Sequence, residues 1–293
     1  MKFTINPEDF FFDPESGKSL KEIPTSQADL YEDKEAYEKN LESYKEEIFR
    51  LQNIMYAHDH FSVLLIFQGM DAAGKDGAVT NVMSGINPAG VSVSSFKKPS
   101  TEELDHDFLW RCSKELPERG RIGIFNRSYY EELLIVRVHP EILHSQRIPE
   151  KTKNDPDIWK NRFEDIRAYE KFLHRNGTII IKFFLHVSKD EQKKRFLERI
   201  EEPDKNWKFS AFDVSERKYW NEYQNAYGEI LKESSRNQAP WYVIPADKKK
   251  SARLIISQII VKHLSNIHMD FPELPEEQKK QLNSMRDSLL SEE

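Results

Sequence analysis

The sequence predicts an α/β fold, with a central parallel sheet and helices on both of its faces. Short apolar runs alternate with longer amphipathic segments over roughly 200 residues, which is typical of strand–helix–strand units. The run at 61–68, FSVLLIFQ, is almost continuously apolar, as expected of a strand that is buried on both faces. A glycine-rich cluster at 69–77 follows this run directly, and the next helix is expected to begin within it.

The other elements follow from the spacing of apolar residues along the chain. Leu41, Ile48 and Met55 belong to a three- and four-residue repeat that predicts an amphipathic packing helix over 29–58. The remaining strands are predicted at 91–96, 121–125, 178–187 and 241–245. The remaining helices are predicted from the glycine cluster to 82 or 83, and at 101–114, 129–138, 157–174, 189–201, 214–233 and 248–264.

Composition and charge narrow the class of protein. The chain carries 44 Lys and Arg against 50 Asp and Glu, a net charge of −6, so it lacks the basic balance typical of nucleic-acid binders. Its apolar runs are far shorter than the roughly 20 residues of a membrane helix, and its first residues lack the apolar stretch of a signal peptide. The single cysteine, Cys112, cannot form an intrachain disulfide. We therefore expect a cytoplasmic protein that binds neither membranes nor nucleic acid.

The glycine cluster indicates a phosphate-binding loop, with a structural turn that holds no ligand as the alternative. Three of the 10 glycines in the chain fall within it, and 69–75, GMDAAGK, fits the pattern G-x-x-x-x-G-K between a buried strand and a helix. In such a loop the backbone N–H groups and the helix N-terminus attract phosphate oxygens, and the lysine reaches the outer phosphates. The residues predicted to contact phosphate here are Gly69, Met70, Asp71, Ala72, Ala73, Gly74, Lys75, Asp76 and Gly77.

Two aspartates distinguish this loop from the usual pattern. Asp71 lies inside it, and bound phosphates would repel that carboxylate unless a divalent cation lay between them, so we predict Asp71 as a magnesium ligand. Asp76 stands where a Ser or Thr usually supplies a hydroxyl to magnesium. For Asp76 we favour the role of an acid in the first turn of the helix, with a contact at the phosphate site as the alternative.

A second group of polar residues follows the strand predicted at 121–125. Asn126 occupies the strand end at which nucleotide-hydrolysing proteins usually carry an aspartate that supports magnesium. Arg127 comes next, at the edge where ligands bind in parallel sheets, and its guanidinium suits a second phosphate group. Because Asn126 is neutral, Asp71 and Glu131 are the candidates to balance the charge of a metal ion. The alternative role for Glu131 is that of a helix-capping acid.

Four stretches in this order resemble the polyphosphate kinase 2 family. They are GMDAAGKDG at 69–77, FKKPS at 96–100, FNRSYYEE-x4-RVHP at 125–140 and RFLERIEEPDKNWKFSAFD at 195–213, and the similarity extends over 57–264. The third stretch, with Asn126 and Glu131, is most similar to the subfamily (class III) that phosphorylates both AMP and ADP. Members that prefer nucleoside diphosphates usually carry aspartate and asparagine at these two positions.

The resemblance implies a fold, an activity and several residue roles. The fold is a three-layer P-loop kinase-like fold, similar to thymidylate kinase, with a helical lid. The activity is transfer of the terminal phosphoryl group of inorganic polyphosphate to a nucleotide, with magnesium as the metal and manganese as an alternative. Asp71 and Lys75 match the metal-binding aspartate and phosphate-binding lysine of the loop, and Asn126 and Arg127 match the strand-end pair.

The lid is predicted at 188–220. The resemblance gives Arg199 as a lid arginine and Asp213 as a lid aspartate. Nine Lys and Arg are interleaved there with eight acids, which alone would favour a solvated helical surface. Arg195 and Arg199 are four residues apart and so share one helix face. A lid that presents arginines to a transferring phosphoryl group stabilises its negative charge and excludes water.

Four further cations are candidates for phosphate binding. Lys97 and Lys98 end the second strand and are expected to face the same crevice. Arg137 lies in the RVHP stretch, and Lys208 lies in the predicted lid. For His139, in the same RVHP stretch, we expect a structural role, and His106, His144, His174 and His186 lack the spacing of zinc ligands.

The predicted enzyme transfers a phosphoryl group from polyphosphate to AMP, ADP or both, giving ADP and ATP in a reversible reaction. Its predicted catalytic residues are Asp71, Lys75, Arg127 and Arg199, and its predicted metal ligands are Asp71 and Glu131. Guanine nucleotides are alternative acceptors. Two other functions remain open: an ATP-dependent nucleoside-monophosphate kinase, and a nucleotide-binding switch without turnover.

The predicted domain organisation has three parts. Residues 1–60 form an N-terminal extension with the packing helix, 61–265 form the phosphotransferase domain, and 266–293 form a polar tail. The resemblance suggests a homo-oligomer, and the helix at 29–58 is a candidate contact between its subunits.

Overall fold

A five-stranded parallel sheet forms the centre of the computed structural model, which describes residues 5–292. Its strands are β1 (Ser62–Gly69), β2 (Val91–Ser95), β3 (Ile122–Asn126), β4 (Thr178–His186) and β5 (Trp241–Pro245). They lie in the order β2-β3-β1-β4-β5, and every neighbouring pair is parallel. The predicted α/β class is therefore confirmed, and each predicted strand is present.

Helices connect the strands and cover the sheet. The α-helices of the described residues are α1 (Lys34–His58), α2 (Lys75–Val82), α3 (Thr101–Leu104), α4 (Trp110–Ser113), α5 (Ile135–Val138), α6 (Pro140–Ser145), α7 (Glu150–Lys153), α8 (Ile158–Arg175), α9 (Lys189–Glu201), α10 (Ala211–Ser215), α11 (Trp220–Ser234), α12 (Lys249–Ser265) and α13 (Glu276–Leu290). Short 3-10 turns lie at Pro7–Phe10, Leu20–Glu22, Pro88–Gly90, Tyr129–Leu133, Pro203–Lys208 and Glu216–Tyr219. The first long helix begins later than the predicted residue 29, because the Asp33 carboxylate caps it by accepting a hydrogen bond from Ala36 N at 2.8 Å.

The helices form two layers on opposite faces of the sheet. Successive side chains of a strand point to opposite faces, so Lys182 and Phe183 of β4 identify the two layers. Lys182 contacts Glu170 of α8, whereas Phe183 packs against Tyr242, whose hydroxyl bonds His263 of α12. Helices α8 and α11 pack together in the first layer, and α1, α2 and α12 in the second. This arrangement is the predicted three-layer fold.

The central strand β1 positions the site. All of its residues are buried, because β3 and β4 pair along its two edges and helices cover both faces. Phe67 lies opposite Asn126 of β3, and Gly69 lies opposite Leu185 of β4. The loop after β1 and the residues after β3 therefore emerge side by side at the carboxyl edge of the sheet.

Three of the predicted helices are interrupted. The one predicted at 214–233 is divided among the end of α10, the 3-10 turn at Glu216–Tyr219 and α11. The segment 101–114 forms α3 and α4 instead of one helix, because the Asp107 carboxylate accepts hydrogen bonds from the N–H groups two and three residues later, at 2.9 and 3.1 Å. Such local bonds compete with the helical pattern and start a new helix. The segment 129–138 is a 3-10 turn followed by α5, with non-helical backbone at Leu134.

The predicted lid, 188–220, consists of α9, α10 and two 3-10 turns, and the predicted tail contains α13, which is exposed along its length. The domain boundaries at 60 and 265 remain predictions, and residues 1–4 and 293 of the outer two parts lie outside the described residues. Between residues 5 and 292, no helix combines the length and apolar character that crossing a membrane requires.

Candidate active site

The loop after β1 adopts a backbone conformation that favours small residues. A Cβ atom at Gly69 would lie 2.8 Å from the carbonyl oxygen of Leu185, so this residue must be glycine unless the backbone shifts. Gly74 has a φ of 103° and Ala72 a φ of 59°, in the left-handed region where side chains other than hydrogen are disfavoured. Gly74 is the N-cap of α2, so the loop leads directly to a helix N-terminus that attracts anions.

Side chains of α9 hold this loop by its carbonyl groups. Arg195 is only 4% exposed, and its Nη1 donates to the carbonyl oxygens of Ala72 and Ala73 at 3.0 and 2.7 Å. Gln192 Nε2 donates to the carbonyl oxygen of Asp71 at 2.9 Å. These bonds assign Arg195 and Gln192 the task of fixing the loop. The contact of Arg195 with phosphate stays a prediction.

Lys75 lies beneath the loop. Its side chain is buried, and its Nζ donates to the carbonyl oxygens of Gly69 and Met70 at 2.6 and 3.3 Å. Burial, and then the positive charge of Arg127, lower the pKa of Lys75 to about 8. An ammonium group held only by two carbonyl oxygens in this buried position would be stabilised by a phosphate anion.

Arg127 links the two groups of polar residues that the sequence singled out. Its Nη2 lies 2.7 Å from Asp71 Oδ1, and its Nη1 lies 3.8 Å from Glu131 Oε2. The nearby carboxylate of Glu131 is the largest cause that raises the pKa of Arg127, which therefore stays charged. Arg127 also has a φ of 64°, an uncommon backbone conformation of the kind that occurs at functional sites.

Asn126 and Asp76 form a separate pair. The Asn126 side-chain nitrogen donates to an Asp76 carboxylate oxygen, and Asp76 lies in the first turn of α2. This position agrees with the interpretation favoured for Asp76, and a contact of either residue with phosphate stays a prediction. The pair joins the end of β3 to the helix that follows the loop, so it fixes the two halves of the site relative to each other.

Arg199 lies one helical turn beyond Arg195 and has different contacts. It is 21% exposed, its guanidinium lies 5.3 Å from the Phe196 ring centre, and its Nη1 lies 3.8 Å from Asp213 Oδ2. Burial, and then the nearby charge of Asp71, raise the pKa of Asp213. Arg199 Nη1 also donates to the carbonyl oxygen of Lys208 at 3.4 Å, so Arg199 bonds within the predicted lid, unlike Arg195.

A cavity of about 850 Å³ opens beside Asp71 and Arg127. Of the other predicted residues, those that line it are Gly69, Met70, Lys97, Lys98, Glu131 and Asp213. The cavity also has four cationic side chains that the sequence pattern did not single out, Arg111, Arg147, Arg162 and Arg217. An opening of this size with several cations is large enough for a nucleotide or a stretch of a phosphate chain.

Two predicted phosphate-binding residues point elsewhere. Arg137 Nη2 pairs with Glu229 at 2.7 Å, and its guanidinium lies 5.7 Å from the Trp159 ring centre, outside the residues that line the cavity. The Lys208 ammonium lies 4.8 Å from the ring centre of Trp207, which is 78% exposed. Neither residue lines the cavity, and their roles in binding phosphate stay predictions.

Two buried side chains that sequence reasoning missed support the site. Gln68, the residue before the loop, is fully buried between the two groups of polar residues. One orientation of its side-chain amide gives both the nitrogen and the oxygen a hydrogen-bond partner. In that orientation the nitrogen donates to Glu131 Oε1 at 3.1 Å, and the oxygen accepts from Ser128 N and Oγ at 3.2 Å. The Tyr227 hydroxyl accepts from Gly69 N at 3.2 Å. No sequence signal could have found them, since each contact joins residues far apart in the chain or on neighbouring elements.

The donor set of the site fits a divalent cation. Asp71 and Glu131 flank Arg127 and face the cavity, and carboxylate oxygens are the ligands that Mg²⁺ prefers. Within residues 5–292 no group of three or more His, Cys, Asp or Glu could hold a metal alone. Mg²⁺ is commonly bound through one or two carboxylates together with substrate phosphates, so two carboxylates are sufficient here.

The parallel sheet, the glycine-rich loop with its buried lysine, and the adjacent cavity with its lysine and arginine side chains define a P-loop phosphotransferase. The family model "Polyphosphate kinase 2 (PPK2)" matches residues 31–272. The chain therefore belongs to the polyphosphate kinase 2 family, and the predicted resemblance is confirmed. It is an enzyme, a kinase of the type that depends on a divalent metal ion.

Known proteins agree with this assignment. The chain is 54% identical over 271 residues to the ADP-polyphosphate phosphotransferase of Rhodopseudomonas palustris, covering 92% of this chain and 94% of that protein. It is 42% identical over 224 residues to the AMP/ADP-polyphosphate phosphotransferase of Meiothermus ruber, covering 76% and 79% of the two chains. The crystal structure of polyphosphate kinase 2 from Arthrobacter aurescens superposes with a TM-score of 0.86 at 34% identity, over 97% of this chain and 99% of that one.

Proposed function

We propose that this protein transfers the terminal phosphoryl group of inorganic polyphosphate to AMP and to ADP, forming ADP and ATP in a reversible reaction. The observation that carries the proposal is the meeting of two phosphate-binding elements at one edge of the sheet. Lys75 lies beneath the loop after β1, and Arg127 extends from the end of β3 into a cavity that several other cations line. Two substrates that both carry phosphate require such a double site.

The reaction needs positioning and charge stabilisation more than covalent chemistry. The attacking atom is a phosphate oxygen of the nucleotide, which is already ionised at neutral pH, so no general base is required. The charge of the transferring group is shared among three equatorial oxygens. Lys75, Arg127 and Arg199 are the cations that we assign to this group: the first two from the walls of the site, the third from the lid.

Both acceptors are proposed for two reasons. The similar proteins from R. palustris and M. ruber are named for ADP and for AMP and ADP respectively, and the strand-end motif with Asn126 and Glu131 is the version expected where AMP is used. Glu131 lies beside Arg127 at the cavity wall, where it can influence the depth at which the acceptor phosphate binds.

We assign the metal as Mg²⁺, with Mn²⁺ as an alternative, and its protein ligands as Asp71 and Glu131. When bound, the ion neutralises phosphate charge and orients phosphate oxygens. Arg127 now pairs with Asp71, so binding of metal and phosphate together would exchange this ion pair for contacts of Asp71 with the ion and of Arg127 with a phosphate group.

The decisive experiment supplies long-chain polyphosphate and AMP to the purified protein without ATP. We expect ADP to form first and ATP to follow, with the metal required for both. An ATP-dependent nucleoside-monophosphate kinase would form no product until ATP is added, and a switch without turnover would form none in either case. The matched control is Lys75→Ala, prepared in the same way, which excludes a contaminating kinase as the source of product.

Three finer features are also proposed. Guanine nucleotides are alternative acceptors, tested by replacing AMP and ADP with GMP and GDP in the same assay. The protein forms a homo-oligomer through α1, on which Phe49 and Tyr56 are exposed. Phe49→Asp should then shift the sedimentation coefficient toward that of the single chain. The cytoplasm is the proposed compartment, tested by cell fractionation.

A further inference from the structure

A buried ionic network lies beside the strand-end motif. Lys182 of β4 donates to Glu170 Oε2 of α8 at 2.7 Å and to the Tyr130 hydroxyl at 2.8 Å. Its third bond goes to the carbonyl oxygen of Ser234 at 2.9 Å. The hydroxyls of Tyr129 and Tyr130 both donate to Glu170 Oε1, at 2.9 and 2.8 Å. One carboxylate therefore holds two consecutive tyrosines and one lysine.

The network is isolated from water. Lys182 and Tyr130 have no exposed surface, and Glu170 and Tyr129 have almost none. The desolvation free energy of a buried lysine and glutamate often exceeds the free energy of their attraction. Apolar residues of similar size therefore commonly stabilise a core as well as such an ion pair or better. Stability alone is therefore a weak reason for an ion pair here.

The two tyrosines connect the ion pair to the candidate active site. In the chain they stand between Arg127 and Glu131, the cation and the carboxylate that face the cavity. The Ser128 hydroxyl accepts a hydrogen bond from Tyr130 N at 3.2 Å, which links the tyrosines to the turn that carries Arg127. Arg127 itself has an uncommon backbone conformation, which persists only where the surrounding structure determines it.

We infer that Glu170 and Lys182 are positioning residues, which hold Arg127 and Glu131 in place through the hydroxyls of Tyr129 and Tyr130. The inference rests on the proposed role of Arg127 in binding phosphate. The ion pair is anchored to α8, β4 and α11, so it fixes the strand-end turn to three elements of the scaffold. Groups that orient directly acting residues from behind in this way determine how accurately a site is formed.

The test removes the hydroxyls and keeps the rings. Tyr129→Phe and Tyr130→Phe, singly and together, are compared with the unchanged protein for kcat in polyphosphate-dependent ATP formation from ADP, and for the midpoint of thermal unfolding. We expect the double variant to lose about tenfold in kcat, as is typical when an orienting partner is removed. The tyrosine variants carry the test because a variant at Lys182 would leave a buried carboxylate without its cation and unfold the protein.

The matched control breaks a different buried hydrogen bond of the same sheet. Ser62 Oγ and Thr178 Oγ1 lie 3.0 Å apart where β1 and β4 begin, at the end opposite the site. Thr178→Val should lower the midpoint of thermal unfolding about as much as each single tyrosine variant does, because each removes one buried hydrogen-bonding group. Its kcat should stay within about twofold of that of the unchanged protein. If kcat falls in the control as it does in the tyrosine variants, the network is structural only and the inference is overturned.

A double-mutant cycle separates this inference from the proposed function. If Tyr130→Phe acts through Arg127, it should lower kcat in the unchanged protein and have no further effect in the Arg127→Ala background. An equal loss in the unchanged protein, in the Arg127→Ala background and in a Glu131→Gln background would overturn the positioning inference while leaving the role of Arg127 intact. A near-normal kcat for Arg127→Ala alone would overturn the role of Arg127, and the inference with it.

Discussion

The floor of the site and its lid are held in different ways. By the floor we mean the loop at 69–77 and the turn at 126–131. Side chains of other elements bond its backbone: the Tyr227 hydroxyl accepts from Gly69 N, and Gln192 donates to the carbonyl oxygen of Asp71. The outer part of the lid, 199–215, bonds largely to itself and exposes apolar side chains such as Trp207, Phe209 and Phe212. We therefore expect the floor to be preorganised for phosphate and the lid to close over bound substrate.

The boundary between the two regions passes through α9. Arg195 bonds the carbonyl groups of the loop, and Arg199, one turn later, bonds the carbonyl oxygen of Lys208 within the lid. Two arginines on the same helix face therefore serve different regions. The comparison separates two tasks for a positive charge in the predicted lid: Arg195 shapes the fixed loop, and Arg199 is expected to reach phosphate when the lid closes.

The largest expected effect is on the floor. Asp71→Asn keeps the shape of the side chain and removes its charge, so metal-dependent turnover should fall by about a thousandfold or more. The rate of ATP formation is measured across a Mg²⁺ titration, and circular dichroism and the unfolding midpoint show whether the fold is kept. Near-normal activity at ordinary Mg²⁺ would show that Asp71 is not a metal ligand and that the floor does not depend on its charge.

The corresponding change in the lid is Arg199→Ala. A lid arginine acts on charge that develops in the transition state, so kcat should fall by roughly a hundredfold with little change in nucleotide affinity. Steady-state kinetics give kcat, and equilibrium binding of ADP gives the affinity. Lys194→Ala is the matched control, because Lys194 is an exposed cation of the same helix. If only the affinity changes, Arg199 is a binding residue and belongs with the floor.

The sequence predicted the floor better than it predicted the lid. Local pattern was sufficient for the loop, because Gly69, Gly74 and Lys75 act through the backbone between one strand and the next helix. Local pattern was insufficient to distinguish the role of Arg195 from that of Arg199. A four-residue spacing predicts that two side chains share a helix face, but it does not predict which partner each side chain contacts. Gln68 could not be selected at all, since its contacts arise only when β1 and β3 pair.

The protonation of Lys75 tests whether the floor binds phosphate as a cation. Its pKa is lowered to about 8, so the ammonium is charged below this pH and neutral above it. Because kcat/KM reports the free enzyme, its value for polyphosphate should fall as pH rises through about 8, approaching tenfold per pH unit. Bound phosphate favours the charged form, so kcat at saturation should begin to fall only at higher pH. A flat kcat/KM profile across this range, with the protein still folded, would contradict the assignment.

The smallest expected effect concerns the choice of acceptor, at the point where the floor meets the cavity. Glu131 is engaged by Gln68 and lies near Arg127, and Ser128, not Glu131, supplies the side-chain cap of its 3-10 turn. A role in the site is therefore better supported than a helix-capping role. AMP carries a single phosphate, which ends closer to the nucleoside than the terminal phosphate of ADP. A carboxylate that helps to fix the metal at this depth would matter more for AMP.

Glu131→Asn should therefore depress AMP phosphorylation more than ADP phosphorylation, by roughly three- to tenfold in the ratio of the two kcat/KM values. Both rates are measured at the same Mg²⁺ concentration and with the same polyphosphate. Glu131→Gln is the matched comparison, because it keeps the length of the side chain and the hydrogen bond with Gln68 while removing the charge. A change in the ratio with both variants would identify the charge of Glu131 as the determinant. An equal loss on both acceptors, or a lower unfolding midpoint alone, would assign Glu131 to the support of the floor and leave acceptor choice to the cavity and the lid.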